Sequence, residues 1–241
     1  MDSRCVLGMM QHHTLKRAHM TETNQYWQDR WATGQTKFTQ AQINEHLCTY
    51  FPQLNLPKDS WIFVSLCGKS LDMLWLQEQG YRVLGIELAE EACRAFFQEN
   101  DLPYTESQTE HFQVFTSERI TLLAGDFFAL TAEDLKDIHG VYDRASLFAL
   151  PTELRQRYAE LMNTCLPAHT QMLLLTFLYD ETTMQGPPFC VDETEVNALY
   201  KQHWDITICL DQPNDSIPAH LVAKGLTWLH DKVYCLNKYS D

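Results

Sequence analysis

The sequence predicts a single α/β domain, a mostly parallel seven-stranded sheet flanked by helices. Three observations carry that prediction. Residues 61–87, WIFVSLCGKSLDMLWLQEQGYRVLGIE, read as strand, glycine turn, helix and strand, the βαβ unit of a parallel sheet. Beyond it, short apolar runs alternate with helical patterns to the end of the chain. A length of 241 residues with 45% hydrophobic content is enough to bury one sizeable core and requires no second.

Taken in order, residues 1–20 read as a flexible leader, with Met20 as an alternative start, and 21–241 as the domain. Trp27 and Trp31, four residues apart in NQYWQDRW, share one face of a short helix. Two readings stand for that face: core packing, or an N-terminal helical cap over the strand ends, where tryptophan can flank a cation or a base. A second helix is expected over about residues 40–51, followed by a polar turn to Ser60. Trp61 to Leu66 is short, apolar and rich in aromatic and β-branched residues, as a strand covered on both faces should be. Cys67-Gly68-Lys69 breaks it, and from Ser70 the residues Leu71, Leu74 and Trp75 follow helical spacing up to the Gly80 stop. Tyr81 to Glu87 is the second strand.

Glu90 to Asn100 is a helix with Ala92, Ala95 and Phe96 inward, and the polar and aromatic mixture of residues 101–118 suits a loop with a short hairpin. Ile120 to Ala124 is the third strand, ending in Gly125-Asp126-Phe127-Phe128; Val141 to Asp143 is the fourth. A helix from about Thr152 to Leu166 leads to the fifth, Gln171 to Leu178. Residues 179–190 form a loop that Pro187 and Pro188 stiffen. A helix near Glu193 to Gln202 and strands at Trp204 to Leu210 and Val233 to Leu236 place an antiparallel hairpin at the sheet edge.

Composition narrows the partners. The net charge of −14 has no dense lysine or arginine stripe to offset it, so a nucleic-acid polyanion would be repelled. The eight cysteines are scattered without a C-x-x-C pair, as reduced core residues are, which suits a cytoplasmic address. The ten histidines form no metal box; His12, His13 and His19 have no cysteine or acid at ligand spacing, so no metal is expected. No apolar run approaches the roughly 20 residues that span a bilayer, and the N-terminus lacks a signal-peptide pattern.

Glu87 stands about 20 residues beyond the glycine turn, where a doubly wound sheet places the carboxylate that binds ribose hydroxyls; capping of the following helix is its bland alternative. A nucleoside ligand is therefore the first hypothesis. A P-loop fails because its first glycine falls on Phe63 in mid-strand. A dinucleotide fingerprint fails because LCGKSL supplies one glycine of three. S-adenosylmethionine, which has no phosphate, tolerates such a turn, and the helix N-terminus at Ser70 can attract its carboxylate.

The stretches YWQDRW, LCGKSLDMLWL, GYRVLGIEL, GDFFAL, YDRASLFALP, LRQRYA and GPPF, in this order, resemble the thiopurine S-methyltransferase family in its bacterial form, from residue 24 to about 236. The resemblance implies a Rossmann-like methyltransferase fold and transfer of the methyl group of S-adenosylmethionine to a sulfur atom. It implies cofactor contacts at Trp31, Leu66, Glu87 and Arg144, with Asp126 and Phe127 beside the adenine, and substrate contacts at Phe38 and Arg155. Bottom-up roles agree: Glu87 for the ribose, Arg144 for a carboxylate, Trp31 against the methionine end. Two departures stand out. Ser65 replaces a family proline, which predicts a slightly looser turn, and Thr39 replaces a histidine over the substrate, which bears on substrate preference.

Methyl transfer from a sulfonium to a soft sulfur nucleophile needs orientation and a dry pocket rather than acid or base chemistry. No catalytic nucleophile or base is therefore assigned, and Cys67 is read as a small core residue. Two alternatives stand beside sulfur methylation: within the enzymes, methylation of halide, selenium or tellurium species, and, from another class, a non-catalytic nucleoside-binding module. A monomer acting on a small-molecule thiol, with no nucleic acid or membrane partner, is the expectation.

Overall fold

The computed structural model describes residues 23–36, 39–144, 146–184 and 186–240. The expected leader lies outside them. The described chain opens with helix α1 (residues 23–32). Helix α2 (Glu45–Tyr50) starts later than the sequence pattern suggests because the Asn44 side chain accepts from the amides of His46 and Leu47 and fixes the first turn there. Strand β1 (Trp61–Val64), helix α3 (Asp72–Glu78) and strand β2 (Arg82–Glu87) are the expected βαβ unit. Helix α4 (Glu90–Glu99) leads to a hairpin of β3 (Thr105–Gln108) and β4 (Gln113–Thr116), then to β5 (Ile120–Ala124). A reciprocal capping box between Thr131 and Asp134 sets the short helix α5 (Ala132–Leu135). Strand β6 (Ile138–Arg144), helix α6 (Thr152–Cys165), strand β7 (Gln171–Leu178) and helix α7 (Glu193–Tyr200) follow. Strand β8 (Trp204–Pro213), helix α8 (Ala219–Val222) and strand β9 (His230–Lys238) complete the order.

All seven expected strands form, but the sheet has nine, in the order β3-β4-β5-β2-β1-β6-β7-β9-β8. The extra two are the hairpin, which joins because β4 pairs antiparallel with β5. Parallel pairing is confined to β5, β2, β1, β6 and β7, and β9 and β8 close the other edge antiparallel, so the sheet is mixed rather than mostly parallel. The chain runs outward from β1 in both directions, through β2 on one side and β6 on the other. That reversal opens a crevice beyond the carboxyl ends of the central strands.

Side chains alternate between two cores, as a period of 2 with both faces apolar demands. Ile62, Val64, Leu122, Leu173 and Val233 face α2, α3 and α4, together with Phe51, Met73, Leu76 and Phe96. Phe63, Leu123, Met172, Leu174 and Tyr234 face α5, α6 and α7, with Tyr158, Met162 and Trp204. Helix α3 presents an unexpected face: Asp72, Met73 and Leu76 are buried, while Leu71, Leu74 and Trp75 are half-buried. A third, small core packs the 179–190 loop onto the β8–β9 connection through Tyr179, Met184, Cys190, Leu221, Leu226 and Leu229. Tyr179 donates to the Pro188 carbonyl at 2.7 Å and Lys224 to that of Pro187 at 3.0 Å, and the Gly186-Pro187 and Pro187-Pro188 peptides are cis. The loop is thus held, in line with its proline content.

Candidate active site

The crevice is built from the turn outward. Leu66 and Gly68 both take the left-handed backbone region, at φ 44° and 52°, which turns the chain sharply between β1 and α3. For leucine that conformation carries strain of order 1–3 kcal/mol, the kind held in place at functional turns. Gly68 is required twice over, because a Cβ there would lie 3.2 Å from Cζ2 of Trp31. The Trp31 ring of α1 therefore rests on the glycine turn.

Glu87 ends β2 at 6% exposure, and its carboxylate accepts from the Gly68 amide at 2.9 Å and the Ala89 amide at 3.0 Å. Burial pushes its carboxyl above the usual range, and the backbone amides draw it partly back. A carboxylate has about four acceptor positions, so two amides fix its orientation and leave capacity for hydroxyl donors. Ser65 is tied down at its hydroxyl, which bonds those of Ser146 at 2.8 Å and Tyr158 at 2.6 Å and links β1 to the segment after β6 and to α6.

Between α1 and the strand ends lies a cavity of about 400 Å³. Gln25, Gln28, Asp29 and Ala32 line it from α1; Leu88 to Glu91 line it from the end of β2 and the start of α4, and Ala124 from the end of β5. The volume falls in the range of roughly 300–1,000 Å³ of small-molecule sites; none of the six expected cofactor residues is among the lining residues, although Ala32 and Leu88 follow Trp31 and Glu87 directly in the chain.

Arg144, at the end of β6, is 13% exposed at its side chain, with Nε 3.2 Å from Asp72 Oδ2 and Nη2 donating to Ser70 Oγ at 3.4 Å. Asp126 caps the turn after β5 by accepting from the Phe128 amide at 2.9 Å. Phe127 turns its ring inward, 4% exposed and stacked on Tyr158 at 4.7 Å between centroids. Cys67 is buried, and that burial pushes its thiol well above the usual range.

Arg155 stands apart from this group. It is 3% exposed and donates to the Cys190 carbonyl at 3.1 Å and to Thr152 Oγ1 at 2.9 Å. Its Nε is 2.9 Å from Glu195 Oε1, and the guanidinium sits over the Phe189 ring. It clamps the 179–190 loop onto α6 and α7, a third option beside the solvent pair and the direct substrate contact. Phe38 lies outside the described residues; Thr39, within them, is half-buried. Among the described residues no group of three or more metal-ligating side chains gathers.

Sequence reasoning missed Asp72, which takes Arg144, Tyr142 and the Asn44 amide as partners. The signal was present: an acid inside an otherwise apolar helix face, in a chain with an arginine at the end of an adjacent strand.

The sequence profile of the thiopurine S-methyltransferase family matches residues 22–239. A thiopurine S-methyltransferase of Azotobacter vinelandii is 44% identical over 216 residues, covering 88% of this chain and 98% of the relative. One of Pseudomonas putida is 48% identical over 215 residues, with the same coverage. Among solved structures, a Burkholderia thailandensis 1,6-didemethyltoxoflavin-N1-methyltransferase, determined with bound 1,6-didemethyltoxoflavin and S-adenosylhomocysteine, superposes with a TM-score of 0.62 at 16% identity, covering 93% of this chain and 90% of that one. A SAM-dependent methyltransferase of Anabaena variabilis does so at 0.60 and 14%, covering 89% and 94%. These two likenesses establish the Rossmann-like methyltransferase fold.

Proposed function

The chain belongs to the thiopurine S-methyltransferase family, and from that premise we propose that it transfers the methyl group of S-adenosylmethionine to the sulfur of aromatic and heterocyclic thiols, giving a thioether and S-adenosylhomocysteine. The observation that carries the reading is the turn after β1, where buried Glu87 accepts from the Gly68 amide beneath the Trp31 ring; the cavity alongside is lined by their chain neighbours Ala32 and Leu88. Bound there, the cofactor supplies an electrophilic methyl group on a sulfonium.

The residues supply position. Glu87 accepts the ribose hydroxyls, Arg144 takes the carboxylate, Trp31 and Leu66 wall the methionine end, and Asp126 and Phe127 meet the adenine through backbone, since the Phe127 ring is committed to the core. Helix α1 keeps water from the sulfonium. Holding sulfur and methyl in line in a dry pocket can supply about 7–11 kcal/mol of the barrier reduction, which suffices where the nucleophile is soft and the leaving group good. Arg155 shapes the acceptor side by fixing Phe189 and Cys190 rather than by touching the thiol. By its family position Phe38 is our candidate for direct contact with the acceptor. We place the protein in the cytoplasm as a monomer acting on small molecules; free cysteines at all seven described positions support a reducing compartment, and no helix among the described residues is long and apolar enough to cross a membrane.

The test is calorimetric and chemical. S-adenosylmethionine binds in titration calorimetry, Glu87→Ala weakens it tenfold or more, and labelled methyl transfers to 6-mercaptopurine. Absence of cofactor binding rejects the reading. Transfer to iodide or selenite but to no thiol assigns the soft-nucleophile alternative, and binding without turnover on any acceptor assigns the binding module.

A further inference from the structure

Asp72 is 1% exposed and uses both carboxylate oxygens. Oδ2 accepts from the Tyr142 hydroxyl at 3.0 Å and faces Arg144 Nε at 3.2 Å; Oδ1 accepts from the Asn44 amide at 2.8 Å. One buried acid thus joins the first turn of α3, the carboxyl end of β6 and the residue that caps α2. Burial and the neighbouring Asp72 charge push the Tyr142 phenol well above its usual range, so Tyr142 remains a neutral hydroxyl that donates.

The arrangement constrains Arg144 closely. A long, flexible arginine side chain left unrestrained would surrender its rotamer freedom on binding an anion. Here Nε is held by Asp72 and Nη2 by Ser70. Those two nitrogens form the side edge of the planar fork, so the end edge, Nη1 with the second proton of Nη2, points away from Asp72. A carboxylate would meet that edge with its geometry already set.

We propose that Asp72 is a positioning residue: it holds the Arg144 guanidinium ready for the carboxylate of the cofactor's methionine end, and through the Asn44 amide it ties the segment behind the α1 cap to the same point. This rests on the assignment of Arg144 to that carboxylate under Proposed function. Two properties follow. Asp72 acts on affinity only through Arg144, and its effect is confined to ligands that carry the carboxylate.

The test compares S-adenosylmethionine with its decarboxylated analogue in titration calorimetry, on the full chain. Wild type prefers the carboxylated cofactor, and Asp72→Asn lowers that affinity about tenfold while leaving the analogue within twofold, so the preference collapses. In an Arg144→Met background Asp72→Asn has no further effect. Tyr142→Phe, which removes one restraint on Asp72 and keeps the core filled, reduces the preference about threefold and decides the matter if Asp72→Asn does not fold. Equal losses for both ligands, or an unchanged preference in Tyr142→Phe, overturn the positioning role and leave the cofactor reading intact. A wild type that binds neither ligand overturns the cofactor reading and the proposal with it.

Discussion

Asp143 offers a quantitative check on the buried polar network. It is fully buried on β6, and its Oδ2 accepts from the Tyr158 hydroxyl at 2.7 Å. Burial pushes its carboxyl from the ordinary 3.8 up to about 6, with the Tyr158 bond drawing it partly back. Because the folded value is raised, the stability linked to this group is fully present below pH 3.8 and is lost as pH rises through about 6. In the unfolded chain the carboxyl ionises first, so each step upward in pH favours unfolding until both states are ionised. At about 1.4 kcal/mol per pH unit the full loss is about 3 kcal/mol, and about half of it develops between pH 5 and 7.5. Asp143→Asn removes the titration while keeping an acceptor for Tyr158. Urea denaturation of both proteins at several pH values should therefore show wild-type stability falling relative to the variant by about 1–2 kcal/mol across that interval. Loss of packing in the variant would offset its curve by a constant, so the slope of the difference is diagnostic. Parallel curves would refute a raised Asp143 carboxyl and with it the picture of a charge held without a cationic partner.

Gly68→Ala places a Cβ 3.2 Å from the Trp31 ring at φ 52°; it should cost about 1–2 kcal/mol of stability through the left-handed backbone and weaken S-adenosylmethionine binding several-fold by displacing the indole, and unchanged affinity would detach Trp31 from the site. Arg155→Met should destabilise by about 3–5 kcal/mol, since it leaves buried acceptors and Glu195 without their cation, whereas Glu195→Gln should cost less because that side chain is 24% exposed; chemical denaturation of the two decides, and equal costs would argue against the clamp.

The βαβ unit, the seven expected strands, the helix after Pro151 and the acid at the end of β2 were legible in the sequence because each is a local pattern: a run of apolar residues, a 3.6-residue period, a glycine stop, an acid at a fixed offset. Legibility failed where the outcome depends on what lies across the fold. Residues 101–118 announce a hairpin, but whether it attaches depends on the open edge of β5, and attachment made the sheet nine-stranded and mixed. Spacing from Ser70 marks a helix, yet the face it turns inward was set by the partners awaiting Asp72: Asn44 is 28 residues back and Tyr142 is 70 residues on.

Arg155 makes the same point. On its helix it looked equally suited to solvent and to substrate, and the fold buried it because Glu195, Thr152 and the Cys190 carbonyl meet it there. By itself the sequence determined the seven strands it named, the βαβ unit with its single-glycine turn, and the acid that ends β2. The tertiary structure decided which charges are buried and what satisfies them: a buried ion must find its partner wherever the packed chain brings one, and no periodicity along the sequence records that distance.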